Sequence, residues 1–135
     1  MADTFHLQIT TPERQLVDEA VTRAEIPAKD GYLGILPEHA PLLSELGAGV
    51  LSYSSGAHDT LLAVIGGFLE VLNNEVRVLA EHAEFAKDVN LEQARQELSE
   101  AQTAVDSPTP NTDTHKALSR LQAAQARVEA AERAH

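Results

Sequence analysis

The side chains able to do chemistry are numerous but scattered. His6, His39, His58, His82, His115 and His135 spread over the whole chain, and none pairs with another histidine or a carboxylate at zinc-site spacing. The adjacent pairs Glu38-His39 and Glu81-His82 would point to opposite sides of a strand. Cysteine is absent, which removes thiolate metal sites, disulfides and cysteine nucleophiles. A serine or threonine nucleophile needs a base and an orienting acid, and no G-x-S-x-G elbow occurs. Gly66-Gly67 stands alone and leads into strand-like residues rather than a helix, so it is not a phosphate cradle. Neither a metal site nor a catalytic site is expected.

What remains is a surface. Residues 30–47 read DGYLGILPEHAPLLSELG, with glycines, prolines and apolar residues but few charges. This is either a sheet edge with its turns or an exposed, proline-stiffened contact segment. A stiff apolar loop binds a partner at little ordering cost.

The chain around this segment has 135 residues, enough for one domain or a small domain with an appendage. Hydrophobic residues make up 43% but aromatics only 4%, so the core must be built from Val, Leu, Ile and Ala. A net charge of −11 repels phosphate backbones and anionic head groups, arguing against nucleic-acid partners and direct membrane insertion. No run approaches the ~18 apolar residues of a membrane span. The opening MADTFHL has neither the basic nor the apolar region of a signal peptide. The lack of cysteine fits a reducing compartment.

The first ~85 residues read as strands and turns. Phe5, Leu7 and Ile9 alternate with polar neighbours until Pro12. A second strand is expected near Val21–Ile26, stopping at Pro27, and Lys29-Asp30-Gly31 has turn chemistry. Extended structure is expected again over 32–36, 47–54 and 60–65. Gly66-Gly67 marks a bulge or a close backbone approach. Asn73-Asn74, between two apolar runs, predicts a tight hairpin. Many short strands argue a β-sandwich or a small barrel.

The character changes near residue 88. From Asn90 onward there is no glycine, and Ala, Glu, Gln and Arg dominate. Asn90 with Gln93 fits a capping box, and Leu91, Ala94, Leu98, Ala101 and Val105 form one helical stripe, roughly 22 Å long. The stretch DSPTPNTDT (106–114) is a loop, and Ala117, Leu121, Ala124, Val128 and Ala131 form a second stripe. Two antiparallel helices follow, facing each other largely through alanines. Each is marginal alone, and alanine burial adds little. The fold class is therefore α+β: a β-domain over 1–87 and a helical hairpin over 88–135. The hairpin is either a fixed cap or a segment able to leave its resting place.

Four stretches carry a resemblance to the ε-subunit family of F-type ATP synthases: FHLQITTPER, DGYLGILPEHAPLLSELGAGVL, IGGFLEVLNNEVRVLAEHAE and LEQAR, in the family's order and spacing. The resemblance covers the whole chain and is strongest over residues 4–95. It implies a ten-stranded N-terminal β-sandwich as docking domain and a C-terminal hairpin as regulatory domain. It implies a non-catalytic subunit of the central stalk, coupling proton-driven rotation of the c-ring to ATP synthesis. Asp30, Gly31, Tyr32 and Leu33 match the family's c-ring contact; His39, Ala40, Leu42 and Leu43 match its contact with the γ subunit. Glu38 stands where the family commonly has glycine.

The family's hairpin inhibits ATP hydrolysis when extended, with transient contact to the α/β catalytic subunits, and permits it when folded down. In some members ATP holds the folded form. Here the corresponding positions give Glu92 and Arg95, with Arg120 and Arg127 in the second helix not both at the family's spacing, while Gln96 and Gln102 depart from the pattern. The resemblance thus implies at most weak regulatory ATP binding and no other cofactor. It implies a peripheral place on the cytoplasmic face of a bacterial plasma membrane, held there by the complex. The alternative reading is a free-standing ligand-binding β-domain with a coiled-coil oligomerisation tail; a small hydrolase built on His39 would need a triad the sequence does not display.

Overall fold

The computed structural model of the chain describes residues 3–134. Met1, Ala2 and His135 lie outside the described residues, and with them the outermost ends of the two expected domains, the first residues of the leader reading and one of the six histidines.

β1 (Phe5–Thr10) alternates as expected, with Phe5, Leu7 and Ile9 buried. It pairs antiparallel with β2 (Gln15–Val21) and parallel with β8 (Glu75–Phe85). Beyond them come β3 (Arg23–Ala28), β4 (Gly31–Ile35), β5 (Leu42–Glu45), β6 (Ala48–Ser55) and β7 (His58–Leu72). The hydrogen-bonded order is β2-β1-β8-β7-β6-β3-β4, with β5 joined to β7.

β7 explains how one ladder makes two layers. Its first half pairs with β6 and its second half with β5, while β8 follows it almost throughout. The halves meet at Gly66 and Gly67, with φ of 65° and 114°. A Cβ on Gly67 would overlap the Leu79 carbonyl oxygen. The close backbone approach expected there is real, and only glycine fits it. β7 ends in the tight turn expected at Asn73-Asn74, where both residues have positive φ.

The layers enclose a core of Phe5, Leu7, Ile9, Val76 and Val78 on one side and Ile26, Ile35, Leu51, Leu62 and Val64 on the other. Among the described residues there are eight strands rather than the ten implied by resemblance, because β7 and β8 each run unbroken from one layer to the other. Two sequence expectations are corrected. β2 has no counterpart in the sequence pattern, and the strand expected over Val21–Ile26 is divided at Thr22 between β2 and β3. Nor does Pro27 end β3, which reaches Ala28. The β6 ladder leaves β3 at Glu25, so a missing N–H at Pro27 costs no bond on that side.

A 3-10 turn (Ala86–Asp88) leads to α1 (Leu91–Asp106), then α2 (Thr114–Ala134). The Asn90 side chain accepts from the Gln93 amide at 2.9 Å, capping α1 as expected. The Asp113 carboxylate accepts from the Lys116 amide at 3.1 Å, at the start of α2. Among the described residues, no helix is long and apolar enough to cross a membrane.

The two expected stripes face each other around Ala94, Leu98, Val128 and Ala131. α2 has a second buried face, which the stripe pattern did not reveal. Ala126 and Ala130 are buried there, and Ala130 meets Val50, Leu61, Ala63 and Ala86 on the outside of the β6–β7 layer. α2 thus lies between α1 and the sandwich. Each methyl buried at that junction contributes about 0.8 kcal/mol, against about 1.5–3 kcal/mol for each large side chain of the inter-layer core. The hairpin is docked, but on the thinner interface.

Candidate functional site

The β3–β4 hairpin turns in two residues, Lys29 and Asp30, followed by Gly31 at φ 134°. Asp30, Gly31 and Tyr32 are exposed, while Leu33 leans onto the core. The turn is tethered at both levels of structure. The Lys29 amide donates to the Glu45 carbonyl at 3.0 Å, and its ammonium meets the Glu45 carboxylate at 3.1 Å. That hydrogen bond and charge hold the Lys29 pKa above its ordinary value.

Tyr32 carries a second tether. Its hydroxyl oxygen accepts from the Val50 amide at 3.0 Å. β6 has parted from β3 at this point, so Val50 lacks a β3 backbone partner and the phenol oxygen takes that place. The contact requires glycine opposite: a Cβ on Gly49 would overlap the Tyr32 hydroxyl and come within 2.9 Å of the Pro27 Cβ. Tyr32 is 47% exposed, so its ring still offers a face to a partner.

The second segment begins with a reverse turn. The Leu36 carbonyl accepts from the His39 amide at 3.2 Å, with Pro37 and Glu38 between them. Glu38 has φ 64°, the left-handed conformation a type II turn asks of that position. Glycine would meet that demand without strain; Glu38 meets it at a cost. Asn74 stabilises the strained residue, its side-chain oxygen accepting from the Glu38 amide at 2.7 Å while its NH2 donates to the Thr4 carbonyl at 2.9 Å. His39 Nδ1 lies 2.7 Å from the Ala40 carbonyl, further fixing the loop.

Ala40 and Leu43 are exposed, Leu43 by 73%, while His39 and Leu42 are half-buried. The two candidate segments are not brought into one patch. They lie at opposite ends of β5, roughly 10 Å apart along the strand. Beside Leu43 the structure reveals apolar residues the motif did not include. Phe68, Leu72 and Leu79 are each about half-exposed, and Phe68 pairs directly with Leu79 across β7 and β8. Alternation against the buried Leu69, Val71 and Val78 was the signal that marked them as outward-facing.

Of the four residues expected for nucleotide, Arg120 and Arg127 both lie near enough to Glu97 to lower its pKa. Arg95 meets Glu132 at 3.7 Å, Arg120 meets Glu97 at 2.6 Å and Glu100 at 3.5 Å, and Arg127 meets Glu84 at 3.1 Å. Glu92 is exposed in the first turn of α1. Arg120 holds the Glu97 carboxyl below its usual range, chiefly by its hydrogen bond. A triphosphate needs several cationic donors aimed at one point; here each arginine faces a carboxylate with which a phosphate must compete.

The family model described as ATP synthase, Delta/Epsilon chain, beta-sandwich domain matches residues 4–86. The ATP synthase epsilon chain of Solibacter usitatus is 44% identical over 133 residues, covering 98% of this chain and 99% of that one. That of Desulforamulus reducens is 40% identical over 132 residues, covering 98% and 100%. The fold is shared with a chain of the Euglena gracilis mitochondrial ATP synthase, with a TM-score of 0.85 at 22% identity over 98% of this chain and 83% of that one. A chain from the central stalk and c-ring structure of the Tetrahymena thermophila enzyme gives 0.62 at 15% identity, covering 96% and 94%. With the sandwich matched almost end to end and relatives aligned along the full length, this chain belongs to the ATP synthase epsilon chain family and is a non-catalytic subunit.

Proposed function

We propose that the chain is a central-stalk subunit whose sandwich, residues 1–87, docks the rotor, and whose hairpin, residues 88–135, regulates ATP hydrolysis. The Lys29–Leu33 turn meets the c-ring. The loop at His39 and Ala40, with Leu42 and Leu43, meets the γ subunit, and the exposed apolar residues beside Leu43 extend that contact. The carrying observation is the stiffness of both segments: each is tied by hydrogen bonds to distant parts of the sandwich while leaving apolar surface exposed. Preorganised surface of this kind loses little entropy on binding.

The hairpin's alanine-lined seat supports the regulatory half of the reading. A thin interface favours a segment that leaves the sandwich, contacts the α/β catalytic subunits and blocks rotation in the hydrolysis direction. Any regulatory ATP at Glu92, Arg95, Arg120 and Arg127 binds weakly, because it must displace the carboxylates that pair with the three arginines in the docked form. The subunit sits peripherally, on the cytoplasmic face, through its partners.

The docking half is tested by Leu43→Glu. Leu43 is 73% exposed, so the fold should be unaffected. Binding to isolated γ should weaken by at least tenfold. Unchanged γ affinity in the folded variant would remove Leu43 from the contact, and failure of the unaltered chain to bind γ would remove the reading.

A further inference from the structure

The seat of the hairpin on the sandwich is made of methyl groups with one exception. Ala63, Ala86 and Ala130 meet around Val50 and Leu61. Such contacts are non-directional and do little to fix how far along the sheet α2 lies. At the edge of this seat Arg127 Nε donates to the Glu84 carboxylate at 3.1 Å, across 43 residues of sequence. The side chains are 27% and 39% exposed, so the pair is only partly open to solvent.

Among the described residues, this is the sole ion pair or side-chain hydrogen bond joining hairpin to sandwich. The other arginines of the hairpin pair within it, Arg95 with Glu132, Arg120 with Glu97 and Glu100, and Arg133 with Glu129. They stabilise the hairpin wherever it goes. Arg127 alone couples it to one place.

We infer that the Arg127–Glu84 pair is the latch of the docked state: it sets the register of α2 on the sheet and must break for the hairpin to leave. This rests on the reading of the hairpin as a switch. Because the seat is otherwise apolar, docking strengthens with apolar burial but is released by whatever screens or competes for Arg127. Salt does so, and so does a carboxylate-rich surface presented to the guanidinium.

The test uses the free full-length chain and native-state amide exchange. Undocking exposes a hairpin that is marginal on its own, so α2 amides report it. Glu84→Gln, which keeps the shape and removes the charge, should speed exchange over Ala126–Ala131 by about five- to tenfold, the effect of losing one charge-assisted bond at a part-buried site. Leu7 and Val78 in the inter-layer core should be unchanged, showing an intact sandwich. Arg127→Gln should match it, and the exchanged pair Glu84→Arg with Arg127→Glu should return exchange toward the original rate. In ~1 M salt, where charges are screened beyond about 3 Å, the original chain should approach the variants.

α2 exchange unchanged in both single variants would overturn the latch, and so would a failure of the exchanged pair to restore it. The switch reading is judged separately, by hydrolysis in the complex. If single variants loosen α2 while hairpin deletion leaves hydrolysis unaltered, the latch stands and the switch falls.

Discussion

Replacing Tyr32 with phenylalanine removes one oxygen atom from an exposed turn, yet it should weaken the whole sandwich. The hydroxyl accepts from the Val50 amide at 3.0 Å, and Val50 is 1% exposed. Without it, a buried N–H loses its partner. A buried donor left unsatisfied costs about 1–3 kcal/mol. Water can reach the site from the exposed edge of the ring, which places the expected loss at the low end, about 1 kcal/mol. For a chain of this size that is about 3 °C in Tm. Urea unfolding should show a lower midpoint with an unchanged slope, and Val50 amide exchange should quicken. If Tyr32 serves only as a c-ring contact, the free chain would not register the change. An unaltered midpoint together with unaltered Val50 protection would therefore refute the structural role argued here.

Gly67→Ala should abolish folding or cost more than about 3 kcal/mol, because the new Cβ overlaps the Leu79 carbonyl and the backbone has φ 114°; a soluble variant with the original melting temperature would contradict the layer-crossing account. Glu38→Gly should lie within about 0.5 kcal/mol of the original chain, since relief of left-handed strain is offset by added freedom in the unfolded state, whereas Glu38→Ile should lose more than about 1 kcal/mol; equal stability of the two would argue against the turn geometry. Arg120 holds Glu97 below its usual pKa, and the Ser54 hydroxyl does the same for Asp59. Depressed carboxylate pKa values give stability that is present above the unfolded values near 4 and lost as pH falls through the folded ones. Acid unfolding below about pH 4 should lose part of its steepness in Glu97→Gln; an identical acid limb would show the pair to be without effect.

Much of the fold was legible because local pattern and tertiary role agree. β1 alternates cleanly, Asn73-Asn74 makes the tight turn its residues favour, and Asn90 caps α1 as its spacing with Gln93 demands. β2 was hidden because Glu19, which alternation would place inward between Val17 and Val21, is exposed, so the period is broken. The sheet-facing side of α2 was hidden because alanine carries almost no hydrophobic contrast against the rest of an alanine-rich helix. The candidate segments could be picked out by their glycines and prolines, but not their fastening. Tyr32 to Val50, Glu38 to Asn74 and Arg127 to Glu84 are long-range pairings of unremarkable residues. Only the topology brings them together.

Hydrolysis by the reconstituted synthase, carrying either the full chain or residues 1–87 alone, bears most directly on the division of labour proposed. Both forms should assemble with γ and the c-ring, and the shortened form should hydrolyse ATP several-fold faster. Equal rates from two fully assembled complexes would mean that the hairpin, docked or extended, restrains nothing.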